Sequence, residues 1–515
     1  MTTQAEARPR GSGPVLAVAL AGIGLATAAG LRAEGPDLGR IDFQTSGRAA
    51  AQPHFLRGAL LLHSFEYPDA AEEFRKAEAA EPGFAMAYWG EAMTHNHPLW
   101  KEQDREAARR ALEKLAPEAA ARRAKAPTER EKMYLDAVEA LYGEGELAER
   151  DAAYAQAMRR LHERFPGDLD AAAFYALSLI GATEGKRDYA AYMKAAAVVE
   201  EVFARNPEHP GAAHYLIHCY DDPIHAPLGM RPARVYAKIA PDAVHALHMP
   251  SHIFFASGMW REGVASNEAS WKASVDRADR LKLPAGDHSF HALSWLEYAY
   301  LQLGRLPDAR RTLSAMEADA KASPSARMRD SLSSMRAVWI IETGECSPDV
   351  LPPADASQPK ELFVRGLCAL ASGDRAGAEK ALEAMKTKEP PDKETGEHAH
   401  GASMAGPYSG RVRRDVAAIF EAELAAKIAL ARGEKDRAVT LAREAAAAED
   451  AMTFEFGPPA VIKPAHELMG ELLLELDRPV QAQAEFELAL AHAPGRALSL
   501  RGLESAAAKS GRTAP

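Results

Sequence analysis

Cysteine, aromatic residues and positive charge are all scarce in this chain. Three cysteines (Cys219, Cys346, Cys368) in 515 residues cannot form the disulfide framework that replaces a core in small secreted domains. Cys346 and Cys368 can pair in an oxidising compartment, and the sequence leaves that pairing open. Cys219 then stands alone and reads as a small buried hydrophobe. Aromatics make up only 7% of residues while alanine is used heavily, a balance that favours helix over sheet. The net charge of −11, with no basic run, lacks the footprint of a nucleic-acid binder. Familiar catalytic signatures are missing too: there is no GxGxxG after a strand, no GxxxxGK[ST], no GxSxG and no HExxH. No catalytic residue can therefore be assigned, and the expectation leans away from an enzyme.

The one sizeable apolar run lies at the N-terminus. Arg8 and Arg10 precede a small-residue stretch from Val15 to Ala29, followed by possible cleavage sites at Ala26-x-Ala28 and Leu31-x-Ala33. Residues 1–33 thus read as a signal peptide and imply a periplasmic or secreted protein. An uncleaved N-terminal anchor is the alternative, although the run falls short of the ~20 residues a membrane span needs. No later run is long enough, so the mature chain is expected to have no integral span. Residues 34–50 are polar and Gly-containing, and read as flexible.

From His54 to Phe84 a different pattern begins. Gly58, Leu61, Ala71, Phe74, Ala77 and Pro82 follow the small–aromatic–small–proline spacing of a 34-residue tetratricopeptide repeat (TPR). The small residues let two antiparallel helices approach, Phe74 fills the space between them, and Pro82 ends the second helix. Gly470, Leu473, Ala482, Phe486, Ala489 and Pro494 repeat these offsets near the C-terminus. Weaker copies run from Leu293 to Ala320, Leu362 to Met385 and Ile419 to Ala448, with turns at Gly304, Gly373 and Gly433. The expected fold is an all-α TPR solenoid, with one array over 51–325 and a second, continuous with it, over 326–508. Residues 96–128 read as an insertion carrying a long charged helix. Residues 386–410 read as an exposed loop whose His398 and His400 are solvated.

The chemistry-bearing stretch is Gly211–Asn267, with six histidines at 214, 218, 225, 245, 248 and 252. His214/His218 and His248/His252 are spaced i,i+4, which places both rings of each pair on one helix face. The four residues are candidate ligands for a divalent metal, zinc or copper, each through imidazole nitrogen. His245, Asp221, Asp222, His288 and His291 are candidate outer partners. Against this stands a purely structural reading. If Val264 is the helix-B alanine of its repeat, His248 and His252 fall at helix-packing positions, where buried rings hydrogen-bond to one another and to Asp221 or Asp222.

The blocks HYLIHCYDDPIHA, HALHMPSHIF, AMAYWGEAMTHNHPLW and KPAHELMGELLLE resemble those of a family of bacterial TPR proteins, over most of residues 54–505. The resemblance implies the superhelical fold and brings no assigned activity. The leading expectation is an exported scaffold that holds a protein or peptide partner in its concave groove. The alternative is a metal-binding protein that uses the histidines.

Overall fold

The computed structural model describes residues 37–184, 187–387, 410–454 and 456–511. The expected signal peptide, His398 and His400 lie outside them. Most consecutive helices pack against one another in pairs, as an all-α TPR-type solenoid requires. No described helix is long and apolar enough to cross a membrane.

The first repeat shows why its sequence folds this way. Helices Gln52–His63 and Tyr67–Ala80 pack around Phe74, which is fully buried. A Cβ added to Gly58 would lie 2.8 Å from the Phe74 ring, and one added to Gly90, in the next helix Ala85–Met93, would lie 2.2 Å from it. Phe74 therefore locks its own repeat to the following one. Phe486 does the same between Gly470 and Gly502, where the added Cβ atoms would fall 2.8 and 2.3 Å from the ring. At the weaker copies, Gly304, Gly373 and Gly433 adopt φ of +68°, +80° and +78°, a left-handed turn that glycine enters without steric cost.

Two expectations change. The described part of the 34–50 segment, residues 37–50, is not a flexible spacer, because Leu38 and Phe43 are buried. Phe43 packs 5.1 Å from both Phe55 and Tyr134, and the Arg40 amide donates to the Glu208 carbonyl at 2.9 Å. Two apolar anchors in a polar stretch suffice to lay it across the helices. The 96–128 insertion is not one long helix. It opens with a two-residue antiparallel pairing, Asn96–His97 with Glu102–Gln103, and then forms helices Arg105–Leu115 and Ala119–Lys125. Pro117 forces the break, since the residue before proline is pushed out of the α region, and Ala116 sits at φ −167°, ψ 152°. Among the described residues the buried apolar side chains fall into three clusters, the first passing into the second around Phe255.

The solenoid also folds back on itself. The Arg496 guanidinium is fully buried and reaches Glu467 (2.8 and 3.0 Å), Glu342 (2.5 Å) and the Tyr298 hydroxyl (2.9 Å). Trp260 Nε1 donates to the Gly495 carbonyl at 2.9 Å. The last repeats thus press against helix Phe290–Gln302, which carries part of the histidine cluster.

Candidate metal centre

Four helical segments supply the cluster. His214 and His218 lie on Pro210–Tyr220, which Pro210 starts and the ring of His209 caps by accepting from the Ala212 amide at 3.2 Å. His245 and His248 lie on Val244–His248, and His252 follows on Pro250–Ala256. The second i,i+4 pair therefore straddles Pro250, with Met249 keeping helical dihedrals (φ −54°, ψ −35°) so that both rings still share a face. His291 comes from the first turn of Phe290–Gln302. His291 is half-buried and the other five rings are buried.

The histidines do not form the single four-ring set that the two pairs suggest. They form two groups of three, His214/His218/His245 and His248/His252/His291, in each of which the possible ligand atoms lie within 4.8 Å of one another. His245 and His291, expected as outer partners, are members of these groups. In the first group His214 Nε2 lies 3.1 Å from His218 Nε2 and 3.1 Å from His245 Nε2. In the second, His248 Nε2 lies 3.1 Å from His252 Nε2, and the His248 and His291 ring centres are 4.5 Å apart.

Outer hydrogen bonds fix which nitrogens carry protons. His214 Nδ1–H donates to the His63 carbonyl at 2.7 Å. His248 Nδ1–H donates to Asn267 Oδ1 at 2.6 Å. That amide is oriented by its own Nδ2–H, which donates to the Gly263 carbonyl. His252 Nδ1–H donates to Asp221 Oδ2 at 2.5 Å. Each of these rings consequently presents an Nε2 lone pair to its group. Burial pushes His214 down to about 3, despite its bond to the His63 carbonyl. Burial and then neighbouring imidazoles hold His218, His245 and His248 well below the usual histidine range. At neutral pH these rings are uncharged and need lose no proton to bind a cation.

Aromatic side chains wall the cluster. Phe65 lies 4.3 Å from His214 and 5.6 Å from His245 between ring centres. Trp295 lies 4.5 Å from His252, and Phe456 lies 5.1 Å from it. The inner face of these repeats is therefore filled rather than an open groove.

The remaining candidates have other employment. Asp221 is an outer partner through His252, and its second oxygen, Oδ1, is buried with no hydrogen-bond partner. Asp222 accepts from the Ile224 and His225 amides, bonds the His225 ring and faces Arg187 at 3.5 Å. It orders the loop after the helix and stays out of the cluster. His288 bonds Asp319 at 2.8 Å, away from the six rings. Burial pushes the Cys219 thiol up to about 12, and the side chain belongs to the apolar core.

One contributor escaped the sequence reading. His63 ends the first helix, bonds the Tyr215 hydroxyl (3.0 Å) and Asp170 (3.1 Å), and orients His214 through its carbonyl. Its only trace in the sequence is a histidine closing an apolar ALLLH run.

No known family model matches the chain, and no curated protein sequence matches it. Similar solved structures include a human IFIT1 dimer with PPP-AAAA (12% identity, 87% of this chain and 95% of that one, TM-score 0.38). The APC/C hetero-tetramer Cut9–Hcn1 aligns at 12% identity over 90% of this chain and 78% of that one, with a TM-score of 0.34. The P58(IPK) TPR domain aligns at 15% identity over 90% and 99%, with a TM-score of 0.23.

Proposed function

We propose that this helical-repeat protein binds a transition-metal ion at His214, His218 and His245. A single observation carries the reading. His214 has one ring N–H, which it spends on the His63 carbonyl, so its Nε2 has one in-plane lone pair. That nitrogen nevertheless faces two further ring nitrogens at 3.1 Å, and one lone pair makes one good hydrogen bond. A cation between the three nitrogens satisfies all of them. Metal–nitrogen bonds of about 2.0–2.1 Å place tetrahedral neighbours about 3.3 Å apart and right-angle neighbours about 2.9 Å apart, and the observed separation lies between. Three neutral imidazoles are a donor set for zinc or copper.

A disulfide supports the reading of an exported chain. Cys346 and Cys368 are joined in a disulfide with Cα atoms 5.7 Å apart, a bond that persists in an oxidising compartment. A peptide-holding role has a separate surface: an open groove lined by Leu382, Ile428, Leu441, Glu379, Arg432 and Arg437, distant in sequence from the histidines.

Elemental analysis of the purified chain tests the metal. Bound zinc or copper is expected in at least equimolar amount and is lost from the first group in His214→Ala, with the helical circular dichroism retained. A native chain that takes up neither metal from buffered solutions at neutral pH would leave only a structural network.

A further inference from the structure

Resting on that reading, we infer that Phe65 is the cover of the ion at His214, His218 and His245. Its ring keeps water and small anions off the metal, which makes the site a closed, retaining one rather than a hydrolytic one.

The turn that carries Phe65 is the first argument. Phe65 has φ +56°, a left-handed conformation that a bulky L residue adopts only under strain. Its amide donates to the Leu62 carbonyl, and the next amide, Glu66, donates to the Leu61 carbonyl. The turns at Gly258, Gly304, Gly373 and Gly433 make the same two bonds in the same register, with φ between +67° and +80°. At Gly304, for example, the glycine amide donates to Leu301 and the Arg305 amide to Tyr300. Asp477 takes this position before helix Pro479–His492, and aspartate visits the left-handed region more readily than phenylalanine does. Where those repeats place glycine or a short polar residue, the first repeat places a large aromatic. The turn itself does not call for one, because glycine makes the same backbone bonds without strain. What the ring touches is therefore the reason for it.

The ring is buried and lies against all three proposed ligands. Its centre is 4.3 Å from that of His214, 5.6 Å from His245 and 6.0 Å from His218. It lies within 28° of parallel to His245 and 25° of parallel to His218. Each ligand has another ring beside it as well. Tyr236 stacks on His214, His252 lies 5.6 Å from His218, and His248 lies 6.1 Å from His245. A cavity of about 20 Å³ adjoins Phe65, with none of the three histidines in its wall, and it has room for one water molecule. The buried Tyr67 hydroxyl, also in that wall, has no hydrogen-bond partner. Phe65 thus touches both the water-sized space and the ligands. A hydrolytic site with three protein ligands leaves the fourth position to water, whereas a structural site is closed. An apolar ring against all three imidazoles gives the closed kind.

The test loads the full chain with cobalt(II), whose visible bands report its ligands, and uses azide as the probe. In the native chain the bands should stay unmoved as azide is added. In Phe65→Gly, which keeps the turn and removes the ring, azide should shift them saturably, and release of the ion to a chelator should become faster. His214→Ala should abolish the shift, which assigns it to this group. Phe65→Asn, also at ease in a left-handed turn, gives the same reading if the glycine variant folds poorly. Azide binding to first-group cobalt in the native chain would overturn the cover and leave the bound metal standing. A folded Phe65→Gly chain that is less stable, yet as closed to azide and as slow to release its ion as the native one, would also overturn it, since packing alone then accounts for the ring. No uptake of cobalt, zinc or copper would remove the metal and its cover together.

Discussion

Asp221→Asn is the most informative single change at the histidine cluster. Asp221 Oδ2 accepts the His252 Nδ1 proton at 2.5 Å, which leaves the His252 Nε2 lone pair facing His248. An asparagine of nearly equal volume can turn its NH₂ toward Nδ1. The ring then carries its proton on Nε2, aimed at the place that an ion at the second group would take. Loss of a partner of this kind weakens metal affinity by about 10–100-fold, or roughly 1.4–2.8 kcal/mol. The effect should be confined to the second group, because the orienting bond of the first runs from His214 to the His63 carbonyl. A chelator-competition titration at neutral pH should leave the first-group step unchanged in the variant and displace a second-group step alone. A purely structural role gives a different signature: the metal-free protein loses about 1–3 kcal/mol of stability through an unmet hydrogen bond, and metal makes no difference. Equal weakening of both steps, or a change within twofold, would refute the assigned tautomer.

Three further outcomes follow from packing, charge and covalent structure. Gly90→Ala puts a Cβ 2.2 Å from the Phe74 ring and should cost about 1–3 kcal/mol by overpacking, read from the urea midpoint, and an unchanged midpoint contradicts the interlock between repeats. Burial would raise Glu467, but Arg496 and Lys463 outweigh it and hold the carboxyl down at about 2 from its usual 4.5. Its contribution is complete above pH 4.5 and is lost as pH falls toward 2, by roughly 3 kcal/mol in all; Glu467→Gln should flatten this part of the acid-unfolding curve, and an unaltered curve refutes the assignment. Cys346→Ser should cost roughly 3 kcal/mol, as expected for opening a loop between cysteines 22 apart in sequence, and a reduced native protein as stable as the oxidised one would contradict that.

The fold was legible because its determinants are local. Gly58, Phe74 and Pro82 lie within one repeat, and their spacing is itself the packing instruction. Phe43 was not legible, since one aromatic in a polar segment says nothing until the pocket formed by Phe55, Trp89 and Tyr134 exists. The two i,i+4 histidine pairs could be read directly, and so could their shared helix faces. Their grouping could not. Pairing His214 and His218 with His245, rather than with His248 and His252, depends on how adjacent helices are offset along the superhelix. His63 illustrates the same limit, because it reaches His214 across 151 residues through a backbone carbonyl.

A solenoid is ordinarily one-dimensional, each repeat touching only its neighbours, and its inner face is then an open groove. Here that face is closed from a distance. Arg187, which donates to the His218 and Cys219 carbonyls at 3.2 and 3.1 Å, is tied through its amide to Thr453 Oγ1 at 2.7 Å. Three residues further on, Phe456 covers His252. Gly457, at φ +91°, passes so close to Trp295 that a Cβ there would lie 2.2 Å from the ring. Arg496 then clamps the returning C-terminal repeats onto Tyr298 and Glu342. These long-range contacts remove the water that would otherwise solvate the imidazoles, which is why burial dominates their basicity. They also mean that the histidine groups are complete only when the whole array is folded. Damage at Arg496, far from any candidate ligand in the chain, should therefore loosen the cover over His252 and lower metal retention, while the ligands themselves stay unchanged.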